Sequence, residues 1–324
     1  MNRLFYLGDG RRHPTGTEVN GASHGRSSLR PEDYIAETGL VNAVNVALML
    51  DRPLLLTGEP GTGKSELAYS LAWELGLGEP LKFETKSTST ARDLFYTFDT
   101  VGRFKSATGE NPTEYLTFNA LGKAILFGND EASVSSYLGK HIAHPGRRRS
   151  VVLIDEVDKA PRDFPNDILN ELEFLQFSVP ELGGSVIRAE LEFRPIVVIT
   201  SNSEKDLPDA FLRRCIFYNL PFPNRSTLEN IVLRRLETFA GSRGELLSEA
   251  LDLFLRLRDK TSQLRKNPAT AELLDWLLTV KENAGEAEHL TRELTERTVS
   301  ALIKTAEDQD KANKVVDRWF STRQ

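Results

Sequence analysis

Gly58-Glu59-Pro60-Gly61-Thr62-Gly63-Lys64-Ser65 is a stretch of this sequence whose residue types and spacing can do chemistry. It satisfies the pattern G-x-x-x-x-G-K-[ST] in full, between an apolar run, Leu54 to Thr57, and a helical pattern, the context this pattern requires. Its glycines let the backbone curl until successive N–H groups face an anion, and the positive end of the following helix adds its dipole. The expected ligand is ATP with Mg2+: Lys64 reaches the β- and γ-phosphates, and Ser65 offers its hydroxyl to the metal. A second stretch, Val151-Val152-Leu153-Ile154, is an apolar strand that delivers Asp155 and Glu156 at its carboxyl end, where open parallel sheets place their ligands. By itself a strand ending in two acids is usually a solvated strand end. Beside a phosphate loop, Asp155 is expected to hold Mg2+, directly or through water, and Glu156 to orient or deprotonate the attacking water.

The elements that must position these groups follow from hydrophobic period. Leu40, Val41, Val44, Val46, Ala47 and Leu48 give a helix that stops at Asp51 and Pro53. A strand follows over Leu54 to Thr57, and a helix over Ser65 to Leu75, closed by Gly76. Further strands are expected at Leu81 to Glu84, Val151 to Ile154, Ile196 to Thr200 and Ile216 to Leu220. The continuous apolar runs among them fit parallel strands buried on both faces. The stretch from Lys64 to Asp155 far exceeds the roughly 30 residues of a minimal strand–helix–strand crossover, so extra elements must be inserted there. A hairpin is expected around Gly183 and Gly184, pairing Phe177 to Leu182 with Val186 to Phe193. After Pro221 the pattern is helical, with Ser226 as an N-cap and helices over Glu245 to Lys260, Thr270 to Asn283 and Leu294 to Trp319. The fold class is therefore α/β, a P-loop three-layer αβα sandwich with a parallel sheet, followed by a small helical lid domain. The expected boundaries are a flexible arm over 1–33, a nucleotide-binding domain over 34–221 and an α-helical domain over 222–324.

Bulk properties narrow the function classes. At 324 residues the chain exceeds a comfortable single core, and 40% apolar with 27% charged residues is ordinary for a globular protein. A net charge of −6 gives no general attraction to phosphate backbones or anionic lipid. No apolar run approaches the roughly 20 residues that cross a bilayer. One cysteine, Cys215, allows no internal disulfide, and no charged start leads into an apolar signal segment, so a soluble protein of the cytoplasm is expected. His13, His24, His141, His144 and His289 lack the carboxylate or cysteine spacing of a zinc site.

Over roughly residues 34 to 280 the sequence resembles the AAA+ superfamily, and more narrowly its MoxR branch. The resemblance rests on Arg52-Pro53-Leu54-Leu55-Leu56 before the phosphate loop, Thr85-Lys86-Ser87-Thr88 with Asp93-Leu94-Phe95-Tyr96, and Asp155-Glu156-Val157-Asp158-Lys159-Ala160. It continues in Ile199-Thr200-Ser201-Asn202-Ser203 and in Leu207-Pro208-Asp209-Ala210-Phe211-Leu212-Arg213-Arg214-Cys215. It implies that Asn202 is the sensor 1 residue that positions water, and the strand Ile196 to Thr200 aims it at the edge that holds Asp155. It implies that Arg214, with Arg213 as competitor, is an arginine finger inserted into a neighbouring subunit's site. Either arginine could instead close a helix end against Asp209.

The resemblance further implies a homo-oligomeric ring, a hexamer, in which ATP hydrolysis remodels, matures or activates a protein client, such as one bearing a von Willebrand factor A domain. The sequence departs from the MoxR pattern at sensor 2, where Ala271 stands in place of an arginine; Arg265 or Lys266 are the nearby cations. Two rival readings stay open: a nucleotide-gated switch or scaffold with slow turnover, and a nucleic-acid-associated motor. The basic run Arg147-Arg148-Arg149 fits a solvated loop or subunit contact better than nucleic acid, given the negative net charge.

Overall fold

The computed structural model describes residues 6–13, 30–105, 111–138, 142–184, 186–203, 207–236, 239, 244–285 and 287–323. In chain order its strands are β1 Leu54–Thr57, β2 Leu81–Glu84, β3 Tyr96–Phe98, β4 Leu116–Phe118, β5 Val151–Asp155, β6 Gln176–Ser178, β7 Val186–Arg188, β8 Ile196–Thr200 and β9 Ile216–Asn219. Five of them form one sheet in the order β2-β5-β8-β1-β9, with every pairing parallel. The inner strands β1, β5 and β8 are buried at every position, whereas β2 and β9, at the two edges, alternate between half-buried and exposed.

Because side chains alternate across a strand, one apolar run feeds two cores. Leu55, Val152, Ile154, Val197 and Ile199 enter one core, and Leu54, Leu56, Val151, Leu153, Ile196 and Val198 enter the other. Helices α1 Thr38–Leu50 and α2 Lys64–Glu74 cover the second core through Leu40, Val44, Leu67, Ala68 and Leu71. The first core is closed by α4 Ala120–Phe127, α6 Phe164–Asp167, α7 Leu169–Phe174 and α8 Asp209–Arg214, while α3 Thr100–Lys105 and α5 Glu131–Val134 lie between β3 and β5 in sequence. The result is the three-layer αβα arrangement expected from continuous apolar strands.

The long connection from α2 to β5 holds the antiparallel pair β3–β4, in register at Tyr96↔Phe118. The hairpin expected around Gly183 and Gly184 forms as β6–β7, in register at Phe177↔Ile187. Its ladder is shorter than the sequence pattern implied, because Pro180–Leu182 turns as a 3-10 helix and both glycines take positive φ.

Of the segment 1–33, residues 1–5 and 14–29 lie outside the described residues, and Tyr6 to His13 run along α1 and α2. Tyr6 is buried, its N–H donates to Asn45 Oδ1 at 3.2 Å, and the N–H groups of Leu7, Gly8 and Gly10 donate to the Glu74 carboxylate at 3.1, 3.0 and 3.0 Å.

By contact the chain divides into two compact units, Met1–Glu59 with Gly63–Leu220, and Pro60–Thr62 with Pro221–Gln324. The second is helical: α9 Arg225–Arg235, α10 Gly244–Arg258, α11 Thr270–Ala284, α12 Arg292–Thr298 and α13 Ala306–Ser321. Its core includes Leu228, Phe254, Trp276 and Trp319, and Trp276 satisfies its indole N–H on Thr298 Oγ1 at 2.9 Å. Two expectations are corrected here. The N-cap of α9 is Asn224, whose Oδ1 accepts from Thr227 N–H at 2.9 Å, rather than Ser226. The helix expected over Leu294 to Trp319 is two helices. Thr305 Oγ1 accepts the N–H of Asp308 at 3.2 Å and starts α13 afresh, while Leu302 and Ile303 turn into the core. No described helix is long and apolar enough to cross a membrane.

Candidate nucleotide site

β8 lies between β5 and β1, so three adjacent strands deliver the phosphate loop, Asp155 and Thr200 to one edge of the sheet, at their carboxyl ends. The loop leaves β1 at Gly58, where φ is 138° and an added Cβ would lie 2.3 Å from the carbonyl oxygen of Leu220. That oxygen is backbone and cannot swing away, so Gly58→Ala should destabilise the first unit by about 1–3 kcal/mol. Thermal or denaturant unfolding checks this, and an unchanged midpoint would contradict the close approach.

Lys64, the first residue of α2, is buried and donates from Nζ to the carbonyl oxygens of Gly58 and Glu59 at 2.8 and 2.9 Å and to Asn202 Oδ1 at 3.1 Å. Burial pushes its pKa below the ordinary lysine value, against the opposing pull of Asp158, Asp155 and Glu156. The ammonium is thus partly desolvated and surrounded by acceptors, a state in which an incoming anion gains more than it would at a solvated lysine.

Asp155 is buried and Oδ1 accepts two hydroxyls, Ser65 Oγ and Thr200 Oγ1, each at 2.6 Å. Its Oδ2 lies 2.8 Å from Lys82 Nζ on β2. Burial, the largest single influence, pushes this carboxyl up, but the bonds from Lys82, Ser65 and Thr200 outweigh it and hold Asp155 below its usual value. Ser65 and Asp155 therefore present a neutral hydroxyl and an ionised carboxylate side by side, hard oxygen donors that suit Mg2+.

Glu156 turns sharply off the end of β5, with φ 56° and ψ 53°, a left-handed conformation uncommon outside glycine and asparagine. Its N–H is held by Thr200 Oγ1 at 2.9 Å, and its carboxylate is ion-paired with Lys159. Strained backbone of this kind tends to persist at functional sites, where the surroundings enforce it. Asn202 follows β8 and is fixed from both sides, its side chain accepting from Lys64 and its N–H donating to Asp158 Oδ1 at 3.1 Å.

The structure brings Lys64, Ser65, Asp155, Glu156 and Asn202 together, and it places Arg214 elsewhere. β1 and β9 run parallel with Leu54 opposite Ile216, so Arg214 lies before the amino ends of these strands whereas the phosphate loop follows their carboxyl ends. Arg214 Nε is paired with Glu173 Oε2 at 3.1 Å, not with Asp209, and lines a cavity of about 240 Å³ with Asp51, Arg52, Glu173 and Arg194. A four-residue strand spans roughly 13 Å, so Arg214 is held at the edge opposite its own chain's phosphate loop. Arg213 is exposed on the last turn of α8.

The other candidates have partners of their own or stand exposed. Arg147 pairs with Asp130 and Glu190, Arg148 lies over the ring of Phe127, and Arg149 binds Asp51 and the carbonyl of Arg194. Ala271 is exposed on the first turn of α11, and the N–H groups of Arg265 and Lys266 are held by the buried carboxylate of Asp308 at 2.8 and 3.1 Å. Burial pushes the thiol of Cys215 up to about 12. His13 and His289 pair with carboxylates, His144 Nε2 meets the carbonyl of Leu126, and His24 and His141 lie outside the described residues. Sequence reasoning gave no role to Lys82 or Thr200. The alternation of β2 beside an acidic strand was the one available signal for Lys82; nothing local marked Thr200 as the bridge between Asp155 and Glu156.

A strand–loop–helix phosphate cradle, an acidic strand end two strands away and a polar residue after the strand between them define a P-loop ATPase domain. Residues 54–222 match the family described as ATPase family associated with various cellular activities (AAA), and the chain belongs to that family. No curated protein matches it. Among solved structures it is similar to a mutant of Thermotoga maritima RuvB, at 16% identity and TM-score 0.48 over 81% of this chain and 68% of that one. It is also similar to the Thermotoga maritima RuvB Holliday junction branch migration motor, at 14% identity and TM-score 0.45 over 81% of this chain and 66% of that one.

Proposed function

We propose that this protein is a MoxR-like AAA+ ATPase that works in the cytoplasm as a homo-oligomeric ring, a hexamer, and uses ATP hydrolysis to remodel a protein client. The observation that carries this reading is the division of one ATPase constellation between two edges of one sheet. Lys64, Asp155, Glu156 and Asn202 sit at one edge and Arg214 at the other, a separation that supports a second copy supplying the arginine. Within the site, the N–H groups of the loop and Lys64 bind the phosphates, Ser65 and Asp155 hold Mg2+, Glu156 takes the proton of the attacking water, and Asn202 positions that water. Held by Ser65 and Asp155, the metal would supply charge neutralisation at the phosphates. The client reading, including one with a von Willebrand factor A domain, is supported by the motif resemblance. A slow nucleotide switch is the second reading, favoured by Ala271 at the sensor 2 position.

Glu156→Gln separates the two. It keeps size and backbone while removing the base, so ATP and Mg2+ should still bind while turnover falls roughly 10²-fold or more. The stalled ring should retain its protein client when ATP is present and release it with ADP. Turnover near wild type would remove Glu156 from the chemistry and make Asp158 the group to test. Turnover lost with no ATP-dependent protein capture would favour the switch.

A further inference from the structure

The two oxygens of Asp155 have different partners. Oδ1 accepts from the hydroxyls of Ser65 and Thr200, at 2.6 Å each. Oδ2 meets a cation, Lys82 Nζ, at 2.8 Å. Lys82 stands on β2, at the sheet edge next to β5, where its Cα pairs with Leu153 and that of Glu84 pairs with Asp155. Its side chain must therefore run along the strand toward the carboxyl end to reach the carboxylate. The ammonium ends at the rim of the site, with a side chain 38% exposed, while the carboxylate it touches is 9% exposed.

The contact helps hold the buried Asp155 ionised. It also bears on a metal. A fixed positive charge on the carboxylate that faces a divalent cation opposes that cation at short range, in a site where charges are only partly screened. Lys82 and the metal then compete for the same oxygen, and the carboxylate keeps a positive partner in either state.

We propose that Lys82 is a metal-exchange residue: it occupies Asp155 Oδ2 until magnesium, or water bound to magnesium, takes that oxygen, and so sets how much free metal the loaded site requires. The inference deepens the site reading given above and rests on Ser65 and Asp155 being the metal donors.

The test uses the full chain with saturating ADP and Mn2+ as the probe, titrated by electron paramagnetic resonance, so that binding is read without turnover. Lys82→Met and Lys82→Gln should each tighten Mn2+ binding by on the order of tenfold, because one nearby positive charge is gone. Lys82→Arg, which keeps the charge, should stay within about twofold of wild type by the same electrostatic reasoning. Thermal melts identify the variants that fold, and either neutral variant suffices. Mn2+ binding that is unchanged or weaker in a folded neutral variant overturns the proposal, since a lysine that merely orients Asp155 would weaken the site when removed. A wild-type chain with no ADP-dependent Mn2+ signal would instead overturn the Ser65 and Asp155 assignment, and the exchange role with it.

Discussion

A Lys64→Ala protein should fold normally and bind no measurable ATP. Lys64 is the one cation within the phosphate-loop motif, its Nζ is held by two loop carbonyls and Asn202, and it is the charge proposed to meet the phosphate oxygens. Removing it leaves Asp155, Glu156 and Asp158 to repel a triphosphate with no compensating charge in the loop. The fold should survive, because the apolar contacts of Leu67, Ala68 and Leu71 on α2 remain. Calorimetric titration with ATP, beside a circular dichroism melt, checks both halves. Wild-type affinity in a folded variant would contradict the assignment of this loop as the phosphate cradle.

How much of this could be read from the sequence depends on how local the physics is. β1, β5 and β8 emerged within a residue of their observed ends because strands buried on both faces must be continuously apolar, and flanking glycine, proline and acidic residues punctuate them. As candidates, Lys64 and Ser65 were legible from the G-x-x-x-x-G-K-[ST] pattern, Asp155 and Glu156 from the end of an apolar strand, and Asn202 from the resemblance to the AAA+ superfamily. What escaped was whatever depends on neighbours distant in sequence. Thr200 reads as the last residue of a strand, yet its hydroxyl ties Asp155 to the backbone of Glu156 across two strands. Lys82 reads as an edge-strand residue, yet it completes the environment of Asp155. The break between α12 and α13 escaped because Leu302 and Ile303 continue the apolar pattern, and the cap that interrupts it, Thr305, resembles any helical threonine until its bond to Asp308 is seen. The pairing of Arg214 with Glu173 rather than Asp209 is likewise a tertiary fact, since Glu173 ends a different helix.

The position of Arg214 carries the heaviest consequence. A guanidinium that stabilises charge developing at the γ-phosphate is worth on the order of 10³-fold or more in rate, and it does not alter nucleotide binding when it acts only in the transition state. Arg214→Ala should therefore lose roughly 10³-fold in turnover at unchanged ATP affinity. Loss of the Glu173 contact should matter little to stability, because both side chains are about half exposed. If Arg213 is the finger instead, Arg213→Ala should show this loss and Arg214→Ala should not.

The most direct test mixes two inactive proteins. Arg214→Ala subunits keep an intact phosphate site and lack the arginine, whereas Lys64→Ala subunits keep the arginine and lack a usable site. At some interfaces of a mixed ring an intact site should meet an intact arginine, and ATP hydrolysis, absent from either protein alone, should return on mixing in proportion to those interfaces. Mixtures that stay inactive despite demonstrated subunit exchange, with Arg213→Ala equally unable to complement, would contradict a site completed by a second copy of this chain.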